Sequence, residues 1–211
     1  MFKFVSFWAI LVLGMSVGHA QELIADEFET YNQRAIEKIY DFLSYLPEIA
    51  AKKDKSVDEQ QLAQKYISKA LELFIGEGEE FEYEDQTGNK RIHEAVKMKT
   101  TSRGRANAPQ PMKRYLNRLM LLPYQRVSVD SAELYIPEKG VLLENRRYSC
   151  VFNVFLVKIF YDNGNTRYCM KNLKKCKLCL SPEQYTIGAD SDVQNVWPVK
   201  LGNLYSSHQF R

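Results

Sequence analysis

The sequence predicts an α+β protein in which helices come first and antiparallel strands follow. Apolar residues recur at helical spacing in the early part of the chain and alternate over long stretches in its second half. The Asn163-Gly164 dipeptide, which readily adopts the two positive φ values of a tight hairpin, lies between two of these alternating stretches. Helices followed by a run of hairpin-linked strands is the element order of an α+β fold.

The first twenty residues have the three parts of a secretory signal peptide. Lys3 supplies the positive charge, Phe4 to Val17 is almost wholly apolar, and Gly18 and Ala20 are small residues suited to cleavage. An apolar helix of about 14 residues rises roughly 21 Å, short of the ~30 Å hydrocarbon core, so cleavage is favoured over a membrane anchor. We therefore expect a signal peptide over 1–20, one α+β domain over 21–211 and a periplasmic or extracellular mature chain without a membrane span.

Composition and charge exclude several classes of protein. With 45% hydrophobic and 26% charged residues, the chain has the composition of a globular protein and not of a disordered or collagenous one. Without Lys3, 28 basic residues face 26 acidic ones, so the mature chain would carry a net charge of +2. A charge this small gives no general reason to expect nucleic acid or an anionic membrane as the partner.

The first predicted helix is amphipathic and follows the signal peptide directly. Its apolar residues recur at spacings of three and four, which places them on one face. This face consists of Phe28, Tyr31, Ala35, Ile39, Phe42 and Leu46. Pro47 disfavours helical geometry at the residue before it, so the helix is expected to end near Tyr45.

A second amphipathic helix is predicted to open at Ser56. Ser56 and Glu59 have the spacing of a capping box, in which each side chain bonds the backbone N–H of the other residue. Gly76 is the expected C-terminal stop. The predicted buried stripe consists of Leu62, Tyr66, Ala70 and Leu73. The two helices are expected to pack antiparallel and to need a third layer to cover their stripes.

A hairpin and a short third helix are predicted between the helical pair and the strand-rich half. Apolar residues alternate with acids from Phe81, the turn falls at 87–89, and a returning strand runs through Ile92. Pro111 is well placed to start the third helix, which is expected to end at Leu121. Its inward residues are predicted to be Tyr115, Leu116 and Leu119.

From Arg126 onward the pattern indicates β-strands. Val127 and Val129 share one face, and the apolar parity then shifts to Leu134, as a β-bulge between them would cause. The stretch 146–161 is apolar on both faces and is expected to be a central strand. The further predicted strands are 166–174, 185–187 and 196–205. Pro198 places the last of these at an edge or marks its beginning.

This order of elements resembles the nuclear-transport-factor-2-like fold, in which a strongly curved antiparallel sheet wraps N-terminal helices as a cone-like roll. The resemblance covers nearly the whole mature chain and rests on element order and on the hydrophobic pattern from Trp197 to Gly202. It implies a cavity between helices and sheet but no particular chemistry, since members include enzymes, binding proteins and assembly modules. A flatter antiparallel sheet with helices on one face, as in cystatin-like proteins, is the alternative.

Four cysteines fall in the strand-rich half: Cys150, Cys169, Cys176 and Cys179. In an exported protein an even number of cysteines favours disulfides. With a two-residue loop at Asn163-Gly164, Cys150 would face Lys177 and lie diagonal to Cys179, roughly 7 Å away, close enough for a bridge if a bulge intervened. Cys176 and Cys179 also have redox-pair spacing, with lysines that could lower a thiol pKa, and Cys169 could join them in a zinc site. Structural disulfides or inert thiols are favoured over both.

No catalytic motif stands out in the mature chain. Its two histidines are His93, in a predicted strand, and His208, near the C-terminus. There is no glycine-rich phosphate loop and no HExxH, GxSxG or EF-hand pattern. Six acids between Glu77 and Asp85 form a run that is typical of a solvated hairpin face. We predict no catalytic residue, no cofactor and no metal.

The segment 97–118 is the basic segment of the chain, with seven lysines and arginines and no acid. A charged loop and the solvent face of the third helix are the simpler interpretation. The basic segment and the acidic run from Glu77 to Asp85 could also simply face one another across the early hairpin. The functional interpretation is a surface for phosphate, a polysaccharide carboxylate or an acidic envelope protein. The candidate ligand-binding residues are Arg103, Arg105, Lys113 and Arg114.

Three hypotheses on function follow. The leading one is a non-enzymatic binding or interaction module for an unknown small ligand, envelope protein or glycan. It would use either a cavity between helices and sheet or the basic segment. The second is an enzyme of unknown reaction in the same cavity, with Tyr, Asp or Glu as acid and base. The third is a thiol-disulfide protein that uses Cys176 and Cys179. A well-formed cavity with an ionisable residue at its base would favour the enzyme, whereas a filled interior with an exposed apolar patch would favour the interaction module.

Overall fold

The fold is α+β, as the sequence predicts. The structure, a computed structural model, describes residues 25–50, 56–85, 87–102, 105–122, 126–135, 141–143, 147–149, 151–162, 165–180, 185–187, 194–196 and 198–206. The helices are α1 (Ala25–Ile49), α2 (Val57–Glu72) and α3 (Met112–Met120). No helix among the described residues is both long enough and apolar enough to cross a membrane. The predicted signal peptide lies outside the described residues.

Fourteen strands are present in the described ranges. They are β1 (Phe81–Glu84), β2 (Lys90–His93), β3 (Lys97–Met98), β4 (Thr101–Ser102), β5 (Arg105–Ala106), β6 (Gln110–Pro111), β7 (Arg126–Tyr135), β8 (Val141–Leu143), β9 (Arg147–Ser149), β10 (Val151–Asp162), β11 (Asn165–Leu180), β12 (Tyr185–Ile187), β13 (Gln194–Val196) and β14 (Val199–Ser206). The long strand expected over 146–161 is thus described as β9 and β10. Its partner β11 runs to Leu180, six residues beyond the expected end. The final strand begins directly after Pro198, one of the two predicted alternatives, whereas Val196 belongs to β13 and the strand does not lie at an edge of the sheet.

Six strands form the main sheet, in the order β6-β3-β14-β11-β10-β7. The long strands β7, β10, β11 and β14 pair antiparallel, whereas one parallel pair joins β14 to β3 at Leu204 and Met98. The remaining described strands form separate two-stranded sheets, β1-β2, β4-β5, β8-β9 and β12-β13. The sheet is therefore largely antiparallel, and a strand from the end of the described chain lies in its interior.

Helix α1 extends past its predicted end. Pro47, which was expected to stop it near Tyr45, lies inside the last turn, and the helix ends at Ile49. Proline has no N–H to donate within a helix, but the N–H of Ala50 still donates to the carbonyl of Leu46 at 3.0 Å. Leu46 and Ile49 are 1% and 0% exposed. Their burial stabilises the last turn, which local propensity alone would not.

The predicted apolar face of α1 is largely confirmed. Of its six residues, those that are buried are Ala35, Ile39, Phe42 and Leu46. Tyr31 is half-buried against the core, and the side chain of Phe28 lies outside the described residues. Contacts with β7 and β14 place α1 across the width of the long antiparallel strands.

Helix α2 has the predicted beginning but a different end. Glu59 N–H donates to Ser56 Oγ at 3.3 Å, and Ser56 N–H donates to Glu59 Oε2 at 2.9 Å, so the capping box is present. The helix ends at Glu72, before the expected stop at Gly76. Gly76 lies instead in the following 3-10 turn, Ile75–Gly78.

The buried stripe of α2 is confirmed in part: Ala70 and Leu73 are buried as predicted, and Tyr66 is half-buried against the core. The buried residues within the helix are Ala63, Ile67, Ala70 and Leu71, whereas the expected core residue Leu62 is 45% exposed. Because α2 packs against both α1 and α3, small alanine side chains on its inner face let the neighbouring helices approach. A prediction that considers only large apolar residues therefore misses buried alanine positions on such a face.

The bulge predicted in the first long strand is confirmed. The pairing of β7 with β10 has a register shift that leaves Asp130 as an extra residue, between Val129 and Leu134. The β10-β11 hairpin begins in the register expected of a two-residue loop, with Asp162 opposite Asn165. A second register shift, at Phe160, then displaces the remaining pairs by one.

That second shift makes the expected position of Cys150 wrong. Val151, not Cys150, lies opposite Lys177, and Cys150 itself lies outside the described residues. The bridge geometry drawn from an unbroken hairpin register therefore does not apply.

One hydrophobic core fills the interface between the helices and the sheet. Its members come from all three helices and from β3, β7, β11 and β14. Phe42 of α1 and Phe74 meet edge to face at its centre, with ring centroids 5.2 Å apart. The largest fully buried side chains are Phe42, Phe74, Leu46, Ile49, Met112, Leu116, Leu201, Val96 and Val127. These described side chains pack closely against one another.

Candidate functional site

The basic segment forms an excursion from the main sheet that leads into α3. Lys97 in β3 pairs with Pro111 in β6, and β4 and β5 form a small hairpin between them. The chain leaves the sheet after β3, returns beside it at β6 and enters the helix at once. Of the predicted ligand residues, Arg103 lies outside the described residues, and Arg105 is described by its backbone alone. Lys113 and Arg114 are the two that can be placed.

The start of α3 is fixed to the sheet region by the backbone. Met112 N–H donates to the carbonyl of Val96 at 2.8 Å, and both side chains are fully buried. Pro111 occupies the N-cap and provides no side-chain cap. Lys113 and Arg114, the two residues that follow Met112, therefore begin an exposed polar face at a fixed place.

An open pocket of about 380 Å³ lies along this exposed face. Its charged lining residues are Glu79, Lys113, Arg114 and Arg118, and its other lining residues are Pro111, Asn117 and Leu121. Three cations against one carboxylate make the pocket electropositive. Lys113, Arg114 and Arg118, all from the basic segment, line this one pocket.

The three cations differ in how far their donors are already used. Lys113 Nζ lies 3.0 Å from Glu79 Oε1, in an ion pair whose side chains are 58% and 52% exposed. Arg118 Nη1 donates to Gln110 Oε1 at 2.9 Å, which leaves most of the five guanidinium N–H groups available. Arg114 forms no ion pair and no side-chain hydrogen bond with any residue that the structure describes.

The charges in the first turn of α3 oppose the dipole of the helix, whereas Arg118 in its last turn has the favourable sign. Helix α2 has Asp58 and Glu59 in its first turn and Lys69 in its last, which is the favourable arrangement. Helix α3 has no acid in its first turn, and Lys113 and Arg114 occupy that turn instead. A charge of the wrong sign there destabilises a helix by roughly 0.3–1 kcal/mol.

The like charges of Arg114 and Arg118 make a second unfavourable contribution to the stability of α3. The two arginines lie four residues apart, so their Cα atoms are separated by a rise of about 6 Å on one side of the helix. Like charges at this spacing destabilise an isolated helix by roughly 0.2–0.5 kcal/mol. The helix is held instead by its apolar face, where Tyr115, Leu116 and Leu119 are buried as predicted. A polar face that opposes local stability is typical of a functional surface.

Glu79, the acid of the pocket, is positioned by a left-handed turn. Gly76, Glu77 and Gly78 have φ values of +57°, +51° and +79°. Glu79 N–H donates to the carbonyl of Gly76 at 2.9 Å, and Val96 N–H donates to that of Gly78 at 3.0 Å. Because Val96 also holds the first residue of α3, the turn and the helix are fixed to one point of the backbone.

Sequence reasoning missed the role of Glu79, which it assigned to a solvated acidic run. Nothing in the local pattern singles it out from Glu77 or Glu80, since all three belong to the same short stretch of acids and glycines. Its proximity to Lys113 joins residues 34 positions apart in sequence. Only the tertiary fold shows this contact.

Asp85, the last acid of the run, organises the β1-β2 turn. It accepts hydrogen bonds from the backbone N–H groups of Thr87 and Asn89 at 2.9 and 3.0 Å, and from Arg91 Nε at 3.0 Å. Hydrogen bonds from Thr87 and Arg91 are the main causes that hold the pKa of Asp85 far below its usual value. Its role is therefore structural, as expected for a hairpin face.

His93 has a structural position in the same hairpin. Its ring stacks on Phe81 with centroids 5.2 Å apart, and its Nδ1 lies 2.8 Å from the carbonyl oxygen of Glu94. His208 lies outside the described residues. No group of three or more His, Cys, Asp or Glu side chains suited to a metal occurs in the described part of the chain.

The described cysteines do not match the redox or disulfide expectations. Cys176 and Cys179 are present as thiols, and no disulfide is seen where the structure describes side chains. Cys176 is 1% exposed, and burial raises the pKa of its thiol, the opposite of the lowering expected from nearby lysines. Cys169 is described by its backbone alone. The buried thiol fits the inert-thiol interpretation.

No family model, no curated protein and no solved structure matches this chain. The geometry of the pocket beside α3 is therefore the basis for a functional assignment.

Proposed function

We propose that the protein is an exported, non-enzymatic binding module that uses the basic face of α3 to hold an anionic group of its partner. One observation carries the proposal: Arg114 and Arg118, on adjacent turns, line one open pocket, and neither pairs with a carboxylate among the described residues. Guanidinium groups bind phosphate and carboxylate through two parallel N–H donors. The pocket is therefore suited to either anion.

The openness of the pocket supports a binding surface. Side chains such as Phe42, Met112 and Leu116 are at most 2% exposed and occupy the described helix–sheet interface. The pocket, in contrast, is open to solvent and can receive a group carried by a larger molecule. Leu121, which is 55% exposed at its edge, offers a small apolar contact beside the charges.

The charge distribution supports local attraction rather than attraction of the whole molecule. The chain carries 29 basic and 26 acidic residues, yet the basic segment holds seven cations without an acid. A partner with one or a few anionic groups fits this pattern better than a polyanion along the whole surface.

The export and the fold resemblance remain part of the proposal. The signal-like N-terminal segment supports export. The helices-first order and the position of α1 across β7 and β14 support a nuclear-transport-factor-2-like roll. The binding proposal depends on neither, because the pocket is formed by α3 and the turn before β1.

Anion titration of matched charge variants tests the proposal. Arg114→Gln/Arg118→Gln removes the two guanidinium groups, and Lys65→Gln/Lys90→Gln removes the same charge at exposed positions outside the pocket. Calorimetry with inorganic phosphate, and separately with an acidic polyglutamate peptide, should show binding that weakens as salt rises. We expect the arginine variant to lose at least about tenfold in affinity, as for charged hydrogen bonds, and the lysine variant to match wild type. No binding by wild type, or equal loss in both variants, would contradict the proposal.

A further inference from the structure

We infer that the pocket is selective for an anion that carries an ammonium group, and that Glu79 is the residue that recognises the ammonium. This rests on the proposed function and adds the chemical class of the ligand. A pocket for a simple anion would gain nothing from a carboxylate in its wall, since like charges repel. Glu79 is nevertheless held in that wall by an ion pair and by the backbone.

The carboxylate of Glu79 retains acceptor capacity. Its Oε1 receives the Lys113 ammonium at 3.0 Å, whereas Oε2 has no donor among the described residues. A carboxylate offers about four lone-pair sites, so a ligand ammonium can bond Oε2 without displacing Lys113. The side chain is 52% exposed and is accessible from the pocket.

The backbone prevents Glu79 from moving away from the site. The three left-handed residues before it are fixed by the bonds from Glu79 N–H to Gly76 and from Val96 N–H to Gly78. A side chain at Gly76 would overlap the ring of Phe81, so the turn is packed as well as hydrogen-bonded. The carboxylate is thus presented to α3 by a rigid element, as recognition residues are.

The three cations of the pocket therefore have different roles. Lys113 is neutralised by Glu79, which leaves Arg114 and Arg118 to bind the anionic group. A ligand with only negative charge meets the repulsion of Glu79 at one side of the pocket. A ligand with an adjacent ammonium exchanges that repulsion for an ion pair, which gives selectivity through a difference in affinity.

Two probes that differ by the ammonium alone test the inference. Phosphoethanolamine and ethyl phosphate share the phosphate ester and the two-carbon chain. For wild type we expect phosphoethanolamine to bind about threefold to fivefold more tightly, the size of an exposed ion pair. Glu79→Gln should bring the ratio of the two dissociation constants to about one, because phosphoethanolamine loses its ion pair and ethyl phosphate is freed from repulsion.

Glu80→Gln is the matched control, because Glu80 is exposed, adjacent and not part of the pocket. It should leave the ratio as in wild type. Phosphatidylethanolamine vesicles provide a second arm, in which the same head group is displayed on a surface. Glu79-dependent binding in either arm supports the inference.

The failures of the two proposals are distinguishable. If neither probe binds wild type, the proposed function fails and the inference with it. If both probes bind and Glu79→Gln leaves their ratio unchanged, the inference alone is wrong. Preference of wild type for ethyl phosphate would also overturn it.

Discussion

Replacement of Arg114 by glutamate should stabilise the protein while it abolishes anion binding. Arg114 is exposed in the first turn of α3, so no packing is lost. The change replaces a cation by an anion at the positive end of the helix dipole, a gain of roughly 0.3–1 kcal/mol. It also converts the repulsive pair with Arg118 into an attractive one, a further gain of roughly 0.2–0.5 kcal/mol. The sum is about 1 kcal/mol, or a rise in Tm of roughly 2–4 °C for a chain of this size.

Thermal unfolding and phosphate calorimetry on a graded series measure both effects. Arg114→Gln, which removes the cation without adding an anion, should give about half of the gain in Tm. Arg114→Lys should leave Tm near wild type, because the charge is kept, but weaken binding that depends on the planar guanidinium. The gains should shrink in about 0.5 M salt, which screens exposed charges. A less stable Arg114→Glu protein, or one that binds phosphate as wild type does, would refute the reasoning.

Three further predictions concern the hairpin, the turn and the buried thiol. Asp85→Asn should lower Tm at neutral pH. Because hydrogen bonds depress the pKa of Asp85 in the folded protein, its stabilisation is complete above the unfolded value of about 3.9 and is lost as pH falls below it. The Tm difference should therefore vanish in acid, and a constant difference would contradict this assignment. In urea unfolding, Gly88→Ala should cost about 1 kcal/mol for its positive φ, and Gly76→Ala at least twice as much, since only at Gly76 does a side chain overlap Phe81. Equal losses would show that the overlap is relieved. Cys176 should resist iodoacetamide at pH 8 until the protein unfolds, as peptide mass mapping can show, whereas rapid native labelling would restore the thiol-disulfide hypothesis.

Local chemistry predicted the elements whose causes lie within a few residues of sequence. The capping box of Ser56 and Glu59 needs only a spacing of three, and both bonds are present. The apolar positions of α3 follow from helical periodicity next to Pro111. The bulge at Asp130 could be predicted because a change of face leaves a change of parity in the sequence.

Tertiary contacts decided what the sequence could not predict. The last turn of α1 survives Pro47 because Leu46 and Ile49 are buried in the core that the helices form with the sheet. The inner face of α2 follows from packing against two helices, which no single helix pattern contains. Of the four charged residues that line the pocket, the charge pattern of the sequence singled out two as candidates, Lys113 and Arg114. The acid Glu79 was not, since the turn that presents it forms only when the fold does.

The interior position of β14 in the sheet has a consequence for how the protein folds as it is synthesised. Until Val199–Ser206 pairs with β3 on one side and β11 on the other, the six strands exist as two unjoined pieces with open edges. A polypeptide that emerges N-terminus first cannot complete this sheet before Val199–Ser206 is free. Unpaired edges attract other chains, so a holding chaperone during synthesis would protect it best.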